Sequence, residues 1–255
     1  MSLGVGVELV QAWFRRLYDE TGINLTIFYD PWDGLKYLKG IGLTLELAVL
    51  SVLFSLIVGI VGAWLQGVRF APLRWLVYGY IQFFRNTPPL AQLYFFYFGL
   101  GALVPTTTNA FGQAEPILNN FQWAVIALSF FAGAFNVEIF RSGIEAVPQA
   151  TVEAARSLGY SRLKSYVHIV LPLAIRICLP SLNNNLVNLV KTTAIAYAIA
   201  VPEALYVANQ LWSDNLNVPE MMNVVLVTYL TLVGLFVFGV SRIERALHVP
   251  GYTPS

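Results

Sequence analysis

The chain has 255 residues, of which 57% are hydrophobic and 11% are charged, and its mean hydropathy is +0.64. Soluble globular domains carry about 25% charged residues, so this composition excludes an ordinary soluble domain and predicts a membrane protein. The net charge of +1, without a dense run of Lys or Arg, gives no reason to expect nucleic acid. The single cysteine excludes an intramolecular disulfide and a cysteine-rich metal site.

The N-terminal segment predicts an amphipathic helix at the membrane surface over residues 6–18. Its apolar side carries Leu9, Val10, Trp13, Phe14 and Leu17. Charged residues at 15, 16, 19 and 20 interrupt residues 1–33, so no cleavable signal peptide is apparent there and insertion must rely on the mature helices.

Hydrophobic runs predict an all-α membrane protein with about five crossings. The first is residues 41–66, in which residues 47–65 lack any ionisable side chain and are long enough to cross about 30 Å of hydrocarbon. Residues 73–103 are broken at Pro88-Pro89, so 73–84 should lie near the cytoplasmic surface and 90–104 should cross outward. The remaining predicted crossings are residues 123–144, a polar span that starts at residue 173, and a last span over residues 222–240.

The positions of basic residues predict the orientation. Arginines at 69 and 74, the basic segment 141–176 and arginines at 242 and 245 mark the cytoplasmic side, because positive residues near span ends stay inside. The N-terminus is then outside and the C-terminus cytoplasmic. Basic residues at 15, 16, 36 and 39 count against this orientation, because acidic neighbours offset them only in part.

A charged, glycine-broken hairpin separates two strongly apolar helices. Residues 151–158 predict a short helix, Gly159 permits a left-handed turn that ends it, and Ser161 is suited to cap the next helix. From the residues alone, either a generic hairpin or a helix that docks on a partner fits this pattern.

Several motifs occur in a characteristic order: Arg85-Asn86-Thr87-Pro88-Pro89-Leu90, the run from Phe135 to Ile144, Glu153-Ala154-Ala155 to Gly159, Leu171-Pro172 and Lys191-Thr192-Thr193. From residue 40 to 245 the chain resembles permeases of ATP-binding-cassette (ABC) importers, in their polar amino-acid branch of the histidine/glutamine/glutamate type. The chain has Ala150-Thr151 where that family usually has Gly-Gln, and Leu173 where Gln often follows Leu-Pro.

The resemblance implies the type I importer permease fold and a coupling loop over about 148–168 that docks into a cytoplasmic ATPase. It assigns that contact to Glu153, Ala154, Ala155, Arg156, Ser157, Leu158 and Gly159. It divides the chain into an N-terminal periplasmic or interfacial segment, 1–40, a transmembrane permease domain, 41–245, and a cytoplasmic tail, 246–255.

The resemblance also implies the function and the partners. The chain is expected to be a multi-pass subunit of an ATP-driven amino-acid importer in the bacterial inner membrane, working with an ATPase dimer, a second permease subunit that is identical or similar, and an extracytoplasmic solute-binding protein. The asparagine run and Lys191-Thr192-Thr193-Ala194-Ile195 are closest to permeases for acidic amino acids, glutamate or aspartate.

Chemistry by the chain itself is not expected. It lacks a glycine-rich Lys-Ser/Thr phosphate loop, so ATP and Mg²⁺ should be used by the partner ATPase, and no bound metal or cofactor is expected. His168 and His248 have no clear ligand companions, which disfavours an intramembrane enzyme. The alternative that remains is an ATP-independent secondary carrier or channel.

Polar and ionisable residues within the predicted spans are candidates for a translocation path, because such residues usually face a bundle interior, a partner or water. The candidates are Lys191, Thr192, Asn184, Asn188, Glu138 and Glu46. Lys191 either meets a substrate carboxylate or forms an internal ion pair or helix cap. Glu46 either lines the path or reaches the outer surface, Glu138 has Arg141 three residues on as a pairing partner, and Asn183 to Asn185 can bond across helices.

The residues before the proline pair would lie at the inner mouth of such a path. We therefore expect Arg85, Asn86, Thr87 and Pro88 to shape a gate, although a helix cap also explains Thr87.

Overall fold

The computed structural model describes residues 2–108 and 111–247. His248 and all but the first two residues of the expected cytoplasmic tail, 246–255, lie outside the described residues. The described α-helices are α1 (Ser2–Thr21), α2 (Thr26–Tyr29), α3 (Pro31–Gln66), α4 (Ala71–Asn86), α5 (Pro89–Tyr94), α6 (Asn120–Glu145), α7 (Gln149–Ser157), α8 (Arg162–Ser165), α9 (Leu171–Thr192), α10 (Ala204–Asn215) and α11 (Val218–Leu247).

Within the described residues, four continuous helical stretches are long and apolar enough to cross a membrane: Pro31–Gln66, Asn120–Glu145, Arg162–Ile199 and Val218–Ala246. A shorter apolar stretch, Pro89–Leu103, lies where the second crossing is predicted. The stretch over 162–199 contains a π-helical turn, Tyr166–Val170, and ends in a 3-10 helix, Thr193–Ile199.

Helix α3 begins ten residues before the predicted start of the first span. The carboxylate of Asp30 caps it by accepting hydrogen bonds from the backbone amides of Trp32 (2.8 Å) and Asp33 (3.2 Å), and Pro31 occupies its first turn. With 36 residues, α3 is about 54 Å long and therefore extends well beyond the hydrocarbon layer.

The break predicted at the proline pair is present between α4 and α5. The side-chain nitrogen Nε2 of Gln92 donates to the backbone carbonyl oxygens of Phe84 (2.9 Å) and Thr87 (3.0 Å), so it satisfies acceptors that the interrupted helix leaves free. The chain then continues through a π-helical segment, Phe95–Leu100, and a 3-10 turn, Gly101–Leu103.

The following loop contains a short antiparallel hairpin that the sequence did not predict. Strands β1 (Thr106–Thr108) and β2 (Ala114–Pro116) pair in it, and all six residues are exposed. Asn119 and Gln122 then form a reciprocal capping box that starts α6.

The main core forms where α3, α6 and α9 pack together with α4 and α5. Glycines permit the close approach of α3 to α6: a Cβ atom at Gly59 would lie 2.4 Å from the Cβ of Asn136, and one at Gly62 would lie 2.3 Å from Val137 Cγ2. The core includes Leu47, Phe84, Leu93, Trp123, Leu128, Leu189 and Ile199.

A buried chain of polar side chains, the Ser55–Asn136–Asn185 cluster, joins the same three helices. The side-chain nitrogen Nδ2 of Asn136 donates to Ser55 Oγ (3.2 Å). The side-chain nitrogen Nδ2 of Asn185 donates to Asn136 Oδ1 (2.8 Å) and to the backbone carbonyl oxygen of Ala132 (3.1 Å). Asn136 and Ser55 are fully buried, so these hydrogen bonds fix the register of α3 against α6 and α9.

A second, smaller core packs α10 against the N-terminal halves of α3 and α11. The fully buried carboxylate of Glu203 caps α10 by accepting from the amides of Leu205 (3.0 Å) and Tyr206 (2.9 Å). It also accepts from the hydroxyls of Tyr229 (2.6 Å) on α11 and Thr44 (3.4 Å) on α3. Glu203 thus ties α3, α10 and α11 together in the half of the bundle where α3 begins.

Candidate coupling loop and translocation path

Helix α7 lies at the end of the bundle where α3 and α6 end, and its C-terminus has the geometry that the sequence predicts. Gly159 has a φ angle of +85°. The backbone amide of Tyr160 donates to the carbonyl oxygen of Ala155 (3.2 Å), and the backbone amide of Gly159 donates to the carbonyl oxygen of Arg156 (2.9 Å). These are the two hydrogen bonds of a Schellman motif, which needs a left-handed residue at the position of Gly159.

One side of α7 is anchored and the other is exposed. Ala155 is 3% exposed, and Val152 on the same helix packs against a small core of Val147, Val170 and Ala174. The other predicted contact residues, Glu153, Ala154, Arg156, Ser157, Leu158 and Gly159, are exposed. Ala155 is therefore a residue that attaches α7 to the bundle rather than one that presents a surface.

The exposed surface of the loop continues into α8. Ser161 Oγ accepts from the amide of Lys164 (3.3 Å), which confirms the predicted cap. Leu158 and Leu163 are 80% and 72% exposed, so two large apolar side chains project beside Glu153 and Arg156. We refer to residues 153–163, apart from Ala155, as the α7–α8 surface.

Charged side chains from α4 and α6 form a cluster near the same end. Arg85 Nη1 lies 3.1 Å from Glu138 Oε2. Within α6, Arg141 Nη2 lies 3.6 Å from Glu138 Oε1, and Arg141 Nη1 lies 2.8 Å from Glu145 Oε1. The guanidinium of Arg85 also stands 5.5 Å from the ring centre of Phe135. The predicted Glu138–Arg141 pair is present, and Arg85 joins it from another helix.

The other predicted gate residues bond within their own segment. The amide nitrogen of Asn86 donates to the backbone oxygen of Gln82 (2.8 Å), and Thr87 Oγ1 donates to that of Phe83 (2.7 Å) and accepts from Gln92 (2.8 Å). Pro88 precedes α5 as its N-cap. These residues shape the helix break, whereas Arg85 reaches across to α6.

One face of α9 is polar and exposed. Asn184, Asn188 and Lys191 are exposed, and Thr192 is half-buried and donates to the carbonyl oxygen of Asn188 (2.8 Å). Positions 184, 188 and 191 or 192 are spaced three to four residues apart, so they share a face. Among the described residues Lys191 makes no ion pair, which removes the support for an ion pair within this chain.

The neighbouring asparagines bond across helices, as the sequence predicted. The amide nitrogen of Asn183 donates to Glu244 Oε2 on α11 (2.6 Å), and Asn185 belongs to the Ser55–Asn136–Asn185 cluster. Glu46 is exposed on the outer face of α3 beside Leu45 and Val49. No described hydrogen bond or ion pair joins Glu46 to the polar face of α9, and its position fits a side chain that reaches the membrane surface.

Three polar residues that organise the helices were not singled out from the sequence. Gln92, Asn136 and Glu203 are each at most 2% exposed and hydrogen-bonded to other segments. A polar side chain inside an apolar run is the signal that marks all three, since such groups need partners away from water. Among the described residues, no group of three or more His, Cys, Asp or Glu side chains is arranged to hold a metal ion.

Comparisons with known proteins agree with this architecture. The profile of the family described as "Binding-protein-dependent transport system inner membrane component" matches residues 55–248. The chain is 33% identical over 225 residues, covering 88% of this chain and 98% of the relative, to the probable glutamine ABC transporter permease protein GlnM of Bacillus subtilis (strain 168). It is 36% identical over 213 residues, covering 80% and 84%, to the octopine transport system permease protein OccM of Rhizobium radiobacter.

A solved structure described as an amino acid ABC transporter with histidines superposes with a TM-score of 0.73 at 28% identity, covering 84% of this chain and 94% of that one. The chain therefore belongs to the family of binding-protein-dependent transport system inner membrane components. It is a multi-pass inner-membrane permease subunit with the type I ABC importer fold. It is not an enzyme, since a separate ATPase subunit hydrolyses ATP in such systems.

Proposed function

We propose that this chain forms the translocation path of an ATP-driven importer of polar amino acids and that the α7–α8 surface docks on a cytoplasmic ATPase. The observation that carries the proposal is the construction of α7. Val152 and the buried Ala155 pack one side of the helix against the bundle, while Glu153, Arg156, Ser157 and Leu158 are exposed. A helix that is anchored on one side and exposed on the other can transmit a movement of the ATPase to the spans.

The proposed topology has five crossings, with the N-terminus outside and the C-terminus in the cytoplasm. We assign the fifth crossing to Pro89–Leu103, which is apolar but shorter than the four long stretches. The proposed division is a periplasmic or interfacial segment, 1–40, a permease domain, 41–245, and a cytoplasmic tail, 246–255. Two permease subunits, identical or similar, then rock about a shared path as two ATPase subunits bind and hydrolyse ATP with Mg²⁺.

The exposed polar face of α9 is the proposed path. Lys191, with Thr192, Asn184 and Asn188, offers one positive charge and several hydrogen-bonding groups on a helix that spans the bilayer. An unpaired ammonium at that depth needs water or an anionic partner, and the carboxylate of an amino acid supplies one. Glu138 and Glu46 remain candidates for the inner and outer parts of this path.

The amino acid delivered is proposed to be acidic, glutamate or aspartate, supplied by an extracytoplasmic solute-binding protein. The positive charge of Lys191 and the Lys-Thr-Thr-Ala-Ile sequence support this choice. The names of two relatives refer to glutamine and to octopine, so the choice of an acidic amino acid rests on Lys191 and this motif alone.

The gate is proposed to be the ion pair of Arg85 with Glu138, shaped by Asn86, Thr87 and Pro88. The pair joins the end of α4 to α6 at the end of the bundle that carries α7. A movement of α4 relative to α6 would separate the two charges and open the inner mouth.

Cross-linking tests the contact with the ATPase. In the assembled transporter, Ser157→Cys is expected to react with a thiol-specific bifunctional linker and to capture the ATPase. The matched control is Ala155→Cys, whose side chain faces the bundle, in the same background with the buried Cys178 replaced by alanine. The proposal fails if Ser157→Cys never captures the ATPase and uptake proceeds without that subunit, which would favour a secondary carrier or channel.

Vesicle uptake tests the path. Lys191→Met removes the charge and is expected to lower both glutamate uptake and substrate-stimulated ATP hydrolysis. Lys39→Met, at an exposed position near the start of α3, is the control for a charge lost outside the path. Unchanged uptake and unchanged stimulation in Lys191→Met would refute a role for Lys191 in the path.

A further inference from the structure

The polar face of α9 continues past Lys191 into the 3-10 helix Thr193–Ile199. Side chains three residues apart line up in a 3-10 helix, so Lys191, Ala194 and Tyr197 lie along one line. Lys191 and Tyr197 are both exposed. The buried side of the segment has the same three-residue period and consists of Val190, Thr193, Ala196 and Ile199. A regular α-helix would instead carry Tyr197 about 120° round the axis from Lys191.

Ala194 leaves a gap between the two larger side chains on this line. At about 2 Å of rise per residue, Tyr197 stands roughly 10–12 Å beyond Lys191 along the helix axis. Only the methyl group of Ala194 lies between them on that face, and the side chains of lysine and tyrosine are long. A small molecule that lies over Ala194 therefore has the ammonium group of Lys191 at one end and the ring of Tyr197 at the other.

A second tyrosine, from α10, stands beside Tyr197. The ring centres of Tyr197 and Tyr206 are 6.1 Å apart and the ring planes are inclined by 53°. Tyr197 is 40% exposed, and neither hydroxyl has a hydrogen-bond partner among the described residues. An aromatic ring attracts a cation that lies within about 6 Å of its centre, and a phenol oxygen accepts hydrogen bonds. The pair therefore offers an ammonium group both kinds of contact.

The position of Tyr197 differs from that of a tyrosine that only anchors a protein at the headgroup level. Tyr197 shares its face with Asn184, Asn188 and Lys191, and a helix face of this polarity does not point into hydrocarbon. Tyr197 also lies close to the end of the apolar stretch Arg162–Ile199, away from α7. In the proposed topology this is the outer end of the path.

We propose that Tyr197 and Tyr206 bind the α-ammonium group of the transported amino acid while Lys191 binds a carboxylate. This inference rests on the proposed path along α9 and adds the group that distinguishes an amino acid from a simple carboxylic acid. Lys191 alone attracts any carboxylate. With the two tyrosines, the permease itself selects a molecule that carries an anion and a cation, independently of the solute-binding protein.

Equilibrium dialysis of the purified complex of permease subunits and ATPase, without the solute-binding protein, tests this selection. Glutamate is compared with glutarate, which has both carboxylates but no α-ammonium group. We expect the wild type to bind glutamate about tenfold more tightly than glutarate, a ratio in the range of a cation–π contact. Tyr197→Leu should remove this preference by weakening the binding of glutamate alone. Tyr197→Phe should keep most of the preference, because the ring face remains.

Lys191→Met separates this inference from the path on which it rests. It should weaken the binding of both compounds by a similar factor and leave their ratio unchanged. The matched control is Tyr18→Leu on α1, because Tyr18 is 42% exposed and also belongs to a tyrosine pair, with its ring centre 6.4 Å from that of Tyr29. Tyr18→Leu should change neither affinity.

Equal affinity for the two compounds in the wild type, or an unchanged preference in Tyr197→Leu, would overturn the inference and leave the proposed path standing. An equal loss of preference in Tyr18→Leu would also overturn it. If the wild type binds neither compound, or if Lys191→Met binds both as the wild type does, the path itself fails and this inference with it. Gel-filtration profiles that match the wild type exclude misfolding of the variants.

Discussion

The guanidinium of Arg85 lies 3.1 Å from the carboxylate of Glu138, although 53 positions separate the two residues in the chain. This pair connects the last turn of α4 to α6 directly before the break at Pro88. The side chains are 40% and 30% exposed, and such partly solvated pairs contribute only about 0–1 kcal/mol to stability. A larger effect on transport than on stability would therefore indicate that the pair controls the position of α4.

Reversal of this ion pair gives the first prediction. Arg85→Glu and Glu138→Arg should each lower ATP-driven uptake in proteoliposomes by about tenfold, a coupling of about 1.4 kcal/mol, because like charges then oppose each other. The double variant should recover much of the uptake. Arg69→Glu controls for the added negative charge. Equal uptake in the single and double variants would argue against a specific pair.

The left-handed turn after α7 gives the second prediction. Gly159→Val places a β-branched residue at φ +85°, which costs about 1–2 kcal/mol and unwinds the Schellman turn without a clash, since no atom lies within 4 Å of the added Cβ. We expect substrate-stimulated ATP hydrolysis by the assembled transporter to fall, with little change in unfolding temperature.

Gly112→Val is the control for this substitution. Gly112 has φ +77° with equally open surroundings, but it lies in the loop between β1 and β2. If both variants impair ATP hydrolysis to the same extent, the effect is one of strain in general and not of the turn that ends α7.

The Ser55–Asn136–Asn185 cluster gives the third prediction. Asn136→Leu keeps the branching and the number of heavy atoms of the side chain but removes both hydrogen bonds between helices, which should destabilise the protein by about 1–2 kcal/mol. A lower thermal unfolding temperature in detergent checks this. Asn184→Leu, on the exposed face of α9, should leave the unfolding temperature unchanged, and an equal loss there would contradict the assignment.

Contact between α3 and α6 gives the fourth prediction. Gly59→Ala brings a methyl group to 2.4 Å from the Cβ of Asn136 and should cost about 1–3 kcal/mol through overpacking. Gly42→Ala, on the same helix with no atom within 4 Å, should be neutral or stabilising by up to about 1 kcal/mol. Unfolding temperatures of the two variants, measured side by side, distinguish packing from helix propensity.

Local patterns predicted the features that depend on a few neighbouring residues. The helix break at Pro88-Pro89, the turn at Gly159 and the cap at Ser161 follow from backbone restrictions and short-range hydrogen bonds, and all three are present. Helix ends were less accurate: α3 starts at Pro31 because Asp30 caps it, although the apolar run begins later. The β1–β2 hairpin has no apolar alternation that would reveal it.

The sequence by itself determined that this is a helical membrane protein with an exposed loop between spans, because hydropathy, charge and glycine positions act locally along the chain. Only the tertiary structure decided which polar residues meet. It brings Arg85 to Glu138, Asn136 to Asn185 and Thr44 to Glu203, and it turns Ala155 inward while leaving Ser157 exposed. These relationships depend on how helices distant in the sequence rotate and approach one another, and that is set by packing at positions such as Gly59 and Gly62.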